Sequence, residues 1–165
     1  MLRQATVEDI GFIRSLTTRA DYAPFIGDAD AAQLLAWIES PASDVVIWQA
    51  GPSRGFAIFH GLGAPGGVVE LFRLALEPAG GGHGRAFLAA LIDHAFRVLN
   101  AARLWLDASA ENPRAVTTYL RAGFQLEGTL RGHWYRPVLG RVVDLHIMGL
   151  MRADWEALEP GGAEA

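Results

Sequence analysis

VVELFRLALEPAGGGHGRAFLAALIDHAFRVL, residues 68–99, holds in one run the three parts that decide the fold. Val68 to Leu76 is the longest strand-like stretch of the chain and is closed by Glu77-Pro78. Ala79-Gly80-Gly81-Gly82-His83-Gly84 is a glycine-rich turn. Phe87, Leu88, Leu91, Ile92, Ala95 and Leu99 then recur at helical spacing, and Asn100 suits the helix stop. A strand, a glycine loop and a helix in this order bring backbone N–H groups and the positive end of the helix dipole to one point, a cradle for phosphate or pyrophosphate. Spacing narrows its use. The dinucleotide fingerprint G-x-G-x-x-G fails, because the sixth residue is Arg85 counted from Gly80 and Phe87 counted from Gly82. A short G-x-G remains, Gly82-His83-Gly84, followed by Arg85.

On either side of this run the elements alternate. Leu2 to Ala5 reads as a strand ending at Thr6, a helix cap with Asp9 three residues on, and Val7, Ile10, Ile13 and Leu16 form a helical stripe. Tyr22 to Asp30 is a breaker-rich loop, and a short helix around Ala32 to Glu39 follows it. Val45 to Trp48 and Gly55 to His60 read as a hairpin about Gly51-Pro52-Ser53. After residue 100 come a strand at Arg103 to Asp107, a helix opened by Asn112-Pro113 and closed by Gly123, two strands near 124–136 and 141–151, and a helical turn at Arg152 to Leu158. The expectation is one α/β (α+β) domain over residues 1–158, with a mixed sheet, and a frayed tail at 159–165.

Composition removes whole classes of chemistry. All 14 basic residues are Arg. Without Lys there is neither a Walker A phosphate loop nor a lysine Schiff base. The absence of Cys removes disulfides, thiolate nucleophiles and thiolate metal sites. The net charge of −4 and the scattered arginines argue against nucleic acid as a partner. No apolar signal core or membrane-length run is present, so a soluble cytoplasmic domain is expected. The five His show no paired metal spacing, and no metal is expected.

A second motif stands some thirty residues past the glycine loop: Asn112-Pro-Arg-Ala115-Val-Thr-Thr-Tyr119-Leu-Arg-Ala-Gly123-Phe124. Together the two segments resemble the GNAT family of acyl-CoA N-acyltransferases. Its signatures are a Q/R-x-x-G-x-G/A loop and an N-x-x-A-x-x-x-Y-x-x-x-G-F segment. The second matches at every defining position, and the first at Gly82 and Gly84, with Ala79 where the family has Gln or Arg. The element order matches over about residues 1–158. Glu127-Gly128-Thr-Leu-Arg131 and the strand with Asp144 resemble the ribosomal-protein N-terminal acetyltransferase branch.

The resemblance implies a mostly antiparallel sheet splayed near its centre, with acetyl-CoA as cosubstrate. Ala79, Gly80, Gly81, Gly82, His83, Gly84 and Arg85 would then cradle the pyrophosphate, Leu74 and Leu76 would offer backbone groups to the pantetheine arm, and Asn112, Ala115 and Tyr119 would line the cofactor. Periodicity alone makes Tyr119 a buried aromatic sharing a stripe with Ala115, Val116 and Leu120; the resemblance makes its phenol the acid that protonates the leaving thiolate. Asn112 reads equally as a helix cap.

Amide formation needs a neutral amine. A lysine-type amine with pKa about 10.4 is roughly one part in 2,500 neutral at pH 7, while an α-amino group at about 7.7–8.0 is far less demanding. Glu70, on an apolar strand, is the candidate base, with Asp107 as rival; the alternative is a Glu at a sheet edge or paired with Arg73. Phe25, Ile26, Trp134 and Asp144 are candidate acceptor contacts. The preferred acceptor is a protein or peptide N-terminus. A small amine (polyamine, amino acid or aminoglycoside) is the alternative, and would call for an acidic lining from Glu39, Asp44 and Asp144. A catalytically silent acyl-CoA-binding module is a third reading, and edge strands in the final hairpin would permit a homodimer.

Overall fold

The computed structural model describes residues 1–78 and 81–158. Ala79, Gly80 and the tail at 159–165 lie outside the described residues. In chain order the elements are β1 (Leu2–Gln4), α1 (Ile10–Thr17), α2 (Ala31–Glu39), β2 (Ser43–Ala50), β3 (Ser53–His60), β4 (Val68–Glu77), α3 (His83–Asp93), β5 (Arg103–Ser109), α4 (Pro113–Arg121), β6 (Gln125–Arg136), β7 (Arg141–Met151) and α5 (Arg152–Leu158).

Three local features depart from the sequence reading. Val7 belongs to a 3-10 turn ahead of α1 and is exposed, so the buried stripe begins at Ile10. The helix from His83 changes to π-type spacing over His94–Val98 before Asn100 stops it in the left-handed region at φ 53°. Leu120, expected on the inner stripe of α4, is exposed, and α4 has no fully buried residue. Its inner side forms the wall of a cleft instead.

The seven strands form one sheet in the order β1-β2-β3-β4-β5-β7-β6. Every neighbouring pair is antiparallel except β4 and β5. Those two pair only at Val68↔Arg103, Val69↔Leu104 and Glu70↔Trp105. Just beyond Glu70 the β3–β4 register slips, because Ile58 faces Arg73 while Phe59 faces Leu71, leaving Phe72 as an extra residue in β4. Such a bulge bends its strand and deepens the local twist. It stands where β4 parts from β5, and the splay opens there.

A core covers each face. One packs α3 and Trp155 of α5 on Trp48, Phe59, Leu71, Leu104 and Leu106. The other packs α1 and α2 on Val45, Ile47, Phe56, Ile58 and Ala75. No described helix is long and apolar enough to cross a membrane.

Candidate active site

The splay opens into a cleft of about 1530 Å³. Its walls are the outer half of β4, the first turns of α3, the inner side of α4, the loop after α1, and Trp134 of β6. Leu74 and Leu76 lie on its floor. The Tyr22 hydroxyl donates to the Leu76 carbonyl at 2.6 Å and accepts from the Leu76 N–H at 3.3 Å. Both groups therefore face the splay rather than β3. By the alternation of an antiparallel ladder, the N–H and C=O of Leu74 face the same way.

At one end of the cleft the chain turns from β4 into α3. Gly81 and Gly82 hold positive φ values of 59° and 81°, which a side-chain-bearing residue adopts only with strain. No side chain caps α3, so its first N–H groups are left for a ligand. Gly82, Gly84 and Arg85 line this end. Gly81 and His83 complete the turn without lining the cleft, and the His83 ring lies over Gly81. Ala115 and Asn112 line the α4 side. Asn112 also caps that helix, its Oδ1 accepting from the Ala115 N–H at 3.2 Å.

Tyr119 lies across the cleft, its ring edge-on to Phe124 at 6.0 Å between centroids. The phenol makes no hydrogen bond to another described residue. Burial, reinforced by the charge of Asp107 and by Tyr22, pushes it well above its ordinary pKa. It keeps its proton near neutrality and is free to donate it.

The two candidate bases share one face of the sheet. Asp107 of β5 lines the cleft, whereas Glu70 is half-buried behind its wall. Burial first, then the charge of Asp107, raises Glu70 to about 7. Burial also raises Asp107, opposed by nearby His133. Glu70 forms no ion pair with Arg73 or with any other described residue. Sequence reasoning named both carboxylates but could not give the depth of each.

The loop after α1 also lines the cleft, through Phe25 and Ile26, the expected acceptor contacts, as does Trp134. Arg136, only 6% exposed, holds that loop. Its Nε donates to the Pro24 carbonyl at 3.1 Å and its Nη2 to the Ile26 carbonyl at 2.9 Å and to that of Ala23, while its guanidinium rests on the Trp134 ring at 3.8 Å. Sequence reasoning missed Arg136 and Tyr22, since nothing local marks an Arg that reaches across 110 residues.

The expected acidic lining does not assemble. Asp144 accepts the Gly132 N–H at 2.7 Å, within the β6–β7 hairpin, and is not part of the cleft wall. Glu39 and Asp44 border a separate hollow of about 600 Å³, where Asp44 Oδ2 lies 2.6 Å from His94 Nε2. Glu127 is held by Arg103 in a two-pronged ion pair. No described group of three His, Asp or Glu is arranged to hold a metal ion.

Comparison with known proteins agrees with this geometry. The family described as acetyltransferase (GNAT) domain matches residues 1–125. A spermidine N(1)-acetyltransferase of Vibrio cholerae is 30% identical over 82 residues, 50% of this chain and 46% of the relative; the match thus spans about half of that relative's length. The solved structure of a Vibrio cholerae spermidine N-acetyltransferase with CoA and spermine superposes with a TM-score of 0.81 at 22% identity, covering 94% of this chain and 96% of the other. A spermidine/spermine N-acetyltransferase from the same organism, with manganese ions, gives 0.79 at 21% identity over 97% and 96%. These relatives carry polyamine names, so the resemblance to the ribosomal-protein branch drawn from Glu127 to Arg131 and Asp144 gains no support from them. The match over three quarters of the sequence, joined to the splayed sheet, the glycine turn and the Asn112 to Phe124 helix, leads to one conclusion: the chain belongs to the GNAT acetyltransferase family.

Proposed function

We propose that this protein transfers the acetyl group of acetyl-CoA to a small primary amine. The observation that carries the reading is the splay itself. It sets an uncapped helix N-terminus, the outward-facing backbone of Leu74, a protonated phenol and Asp107 around one cleft, with Glu70 on the same sheet face. These residues fit the cofactor part by part. The α3 N-terminus with Gly82, Gly84 and Arg85 suits the pyrophosphate, and Leu74 suits an amide-bearing arm, whereas the expected backbone groups of Leu76 are already engaged by Tyr22. Bound acetyl-CoA supplies an acyl group activated as a thioester.

The chain's residues manage the protons. Burial, with the charge of Asp107 added, raises Glu70 to about 7, so a carboxylate able to take the ammonium proton is present near neutral pH. The amine nitrogen then forms the C–N bond as the C–S bond breaks. The N–H of Leu74 is the donor for the developing oxyanion. Tyr119 gives its proton to the departing sulfur and is reprotonated as the new amide nitrogen sheds its surplus proton. Relatives that act on spermidine support a small amine over a peptide N-terminus as the acceptor.

Release of free thiol from acetyl-CoA, followed with a panel of small amines and N-terminal peptides, tests this. Amine-dependent release, faster with small amines than with peptides, is expected. Tight binding of acetyl-CoA without turnover of any amine would make the chain a silent acyl-CoA-binding module.

A further inference from the structure

Arg73 stands on the acceptor side of β4 with no ion pair to any described residue. In a regular strand a residue three positions after Glu70 would point to the opposite face of the sheet. The extra residue Phe72 changes this. Glu70 faces His60 and Arg73 faces Ile58, two residues apart on β3 and on one face, so Glu70 and Arg73 share that face about 7 Å apart along the strand. The bulge thus puts Arg73, which lines the cleft, on the same sheet face as the candidate base.

The guanidinium lies half-buried over the Phe72 ring at 4.6 Å and the Trp37 ring at 5.2 Å. It makes no hydrogen bond to a described residue, and Nη1 is buried with no partner among them. Gly27 of the overlying loop leaves it room, since a Cβ there would meet Nη2 at 2.9 Å. The carboxylates of the overlying loop are already engaged, and Glu70 makes no ion pair with Arg73: Asp21 lies 2.7 Å from Arg19, and Asp28 accepts from Thr17 Oγ1 at 2.8 Å and from Arg14 at 3.2 Å. A half-buried cation with unmet donors is costly unless an anion joins it. Meanwhile none of Glu39, Asp44 and Asp144 lines the cleft.

From this we infer that the acceptor is an amine that also carries a carboxylate, of the amino-acid type, with the carboxylate on Arg73 and the amine toward Asp107 and Glu70. The inference rests on the acetyltransferase reading and narrows its acceptor. A polyamine would instead bring a second ammonium toward Arg73.

The test is acetyl-CoA turnover with glycine, β-alanine and γ-aminobutyrate, each beside its carboxamide, and with spermidine. The amides are the less basic amines and would be the better nucleophiles at neutral pH if the carboxylate were ignored. The expected result is that at least one acid exceeds its amide about tenfold or more in kcat/KM, with spermidine poorer. Arg73→Gln should abolish that ratio by raising KM for the acid, Arg73→Lys should keep part of it, and both should bind acetyl-CoA as the native protein does. Preference for spermidine or for the amides, or an unchanged ratio in Arg73→Gln, overturns the inference while leaving the acetyltransferase reading intact. Turnover of no amine at all overturns both.

Discussion

A phenol raised by burial holds its proton across the range in which the cleft would work, so its value as a donor is testable by removing one oxygen. Tyr119→Phe should lower kcat about a hundredfold while leaving acetyl-CoA affinity within a factor of about two. The carboxyl pair sets the pH response. With Glu70 at about 7, kcat/KM should rise through pH 6–8 as the base loses its proton, and Glu70→Gln should remove or displace that limb. Stability has the opposite sign. The folded state keeps a proton on Glu70 that the unfolded chain releases near 4.5, so native stability falls as pH rises from there toward 7. Melting temperatures of Glu70→Gln should show a shallower fall over the same window. At this scale the sequence displayed residue types but not depth. Glu70 and Asp107 look alike on their strands, and only the splay decides that Asp107 meets the cleft.

Among the elements, two small clamps fix what surrounds the cleft. Asp9, only 4% exposed, accepts from Arg3 at 2.8 Å, from Arg54 at 2.7 Å and from the Thr6 N–H at 2.9 Å, tying the start of α1 to β1 and β3. The hydrogen-bonded Arg3 guanidinium leads in holding its carboxyl down at about 2. Its stabilisation is complete above the usual 3.8 and is lost as pH falls toward about 2. Asp9→Asn should therefore lower the melting temperature at pH 7 and little at pH 2. Arg136 clamps the loop after α1, proposed to meet the acceptor. Arg136→Ala leaves three carbonyls short of a donor, should destabilise by about 1–3 kcal/mol, and should raise acceptor KM more than it changes acetyl-CoA affinity. Elements with a strong period and clear stops were legible from residue order: β4, α3 from its glycines to Asn100, and the final hairpin to within a residue or so. The bulge at Phe72 was not, because an extra residue in an apolar run leaves no mark until the partner strand is known. The π turn at His94–Val98 was hidden for the same reason, its apolar spacing passing for ordinary helix.

For the molecule as a whole, the parallel contact between β4 and β5 lasts three residue pairs, and the function depends on where it stops. Family and sheet class were readable from the two motifs because backbone geometry demands them: glycines where φ is positive, an Asn-Pro where a helix begins. The acceptor was less legible. The side proposed for it is built from residues far apart in sequence, and of the acidic residues expected there Asp144 is bound to the Gly132 N–H of β6 and Asp44 to His94. The central claim is that the splay holds acetyl-CoA. Calorimetric titration of the full chain with acetyl-CoA, with free CoA and NADH alongside, measures that most directly. The account predicts one site of micromolar affinity for acetyl-CoA, comparable or weaker binding of CoA, and none of NADH. A folded sample showing no heat at millimolar acetyl-CoA would contradict it.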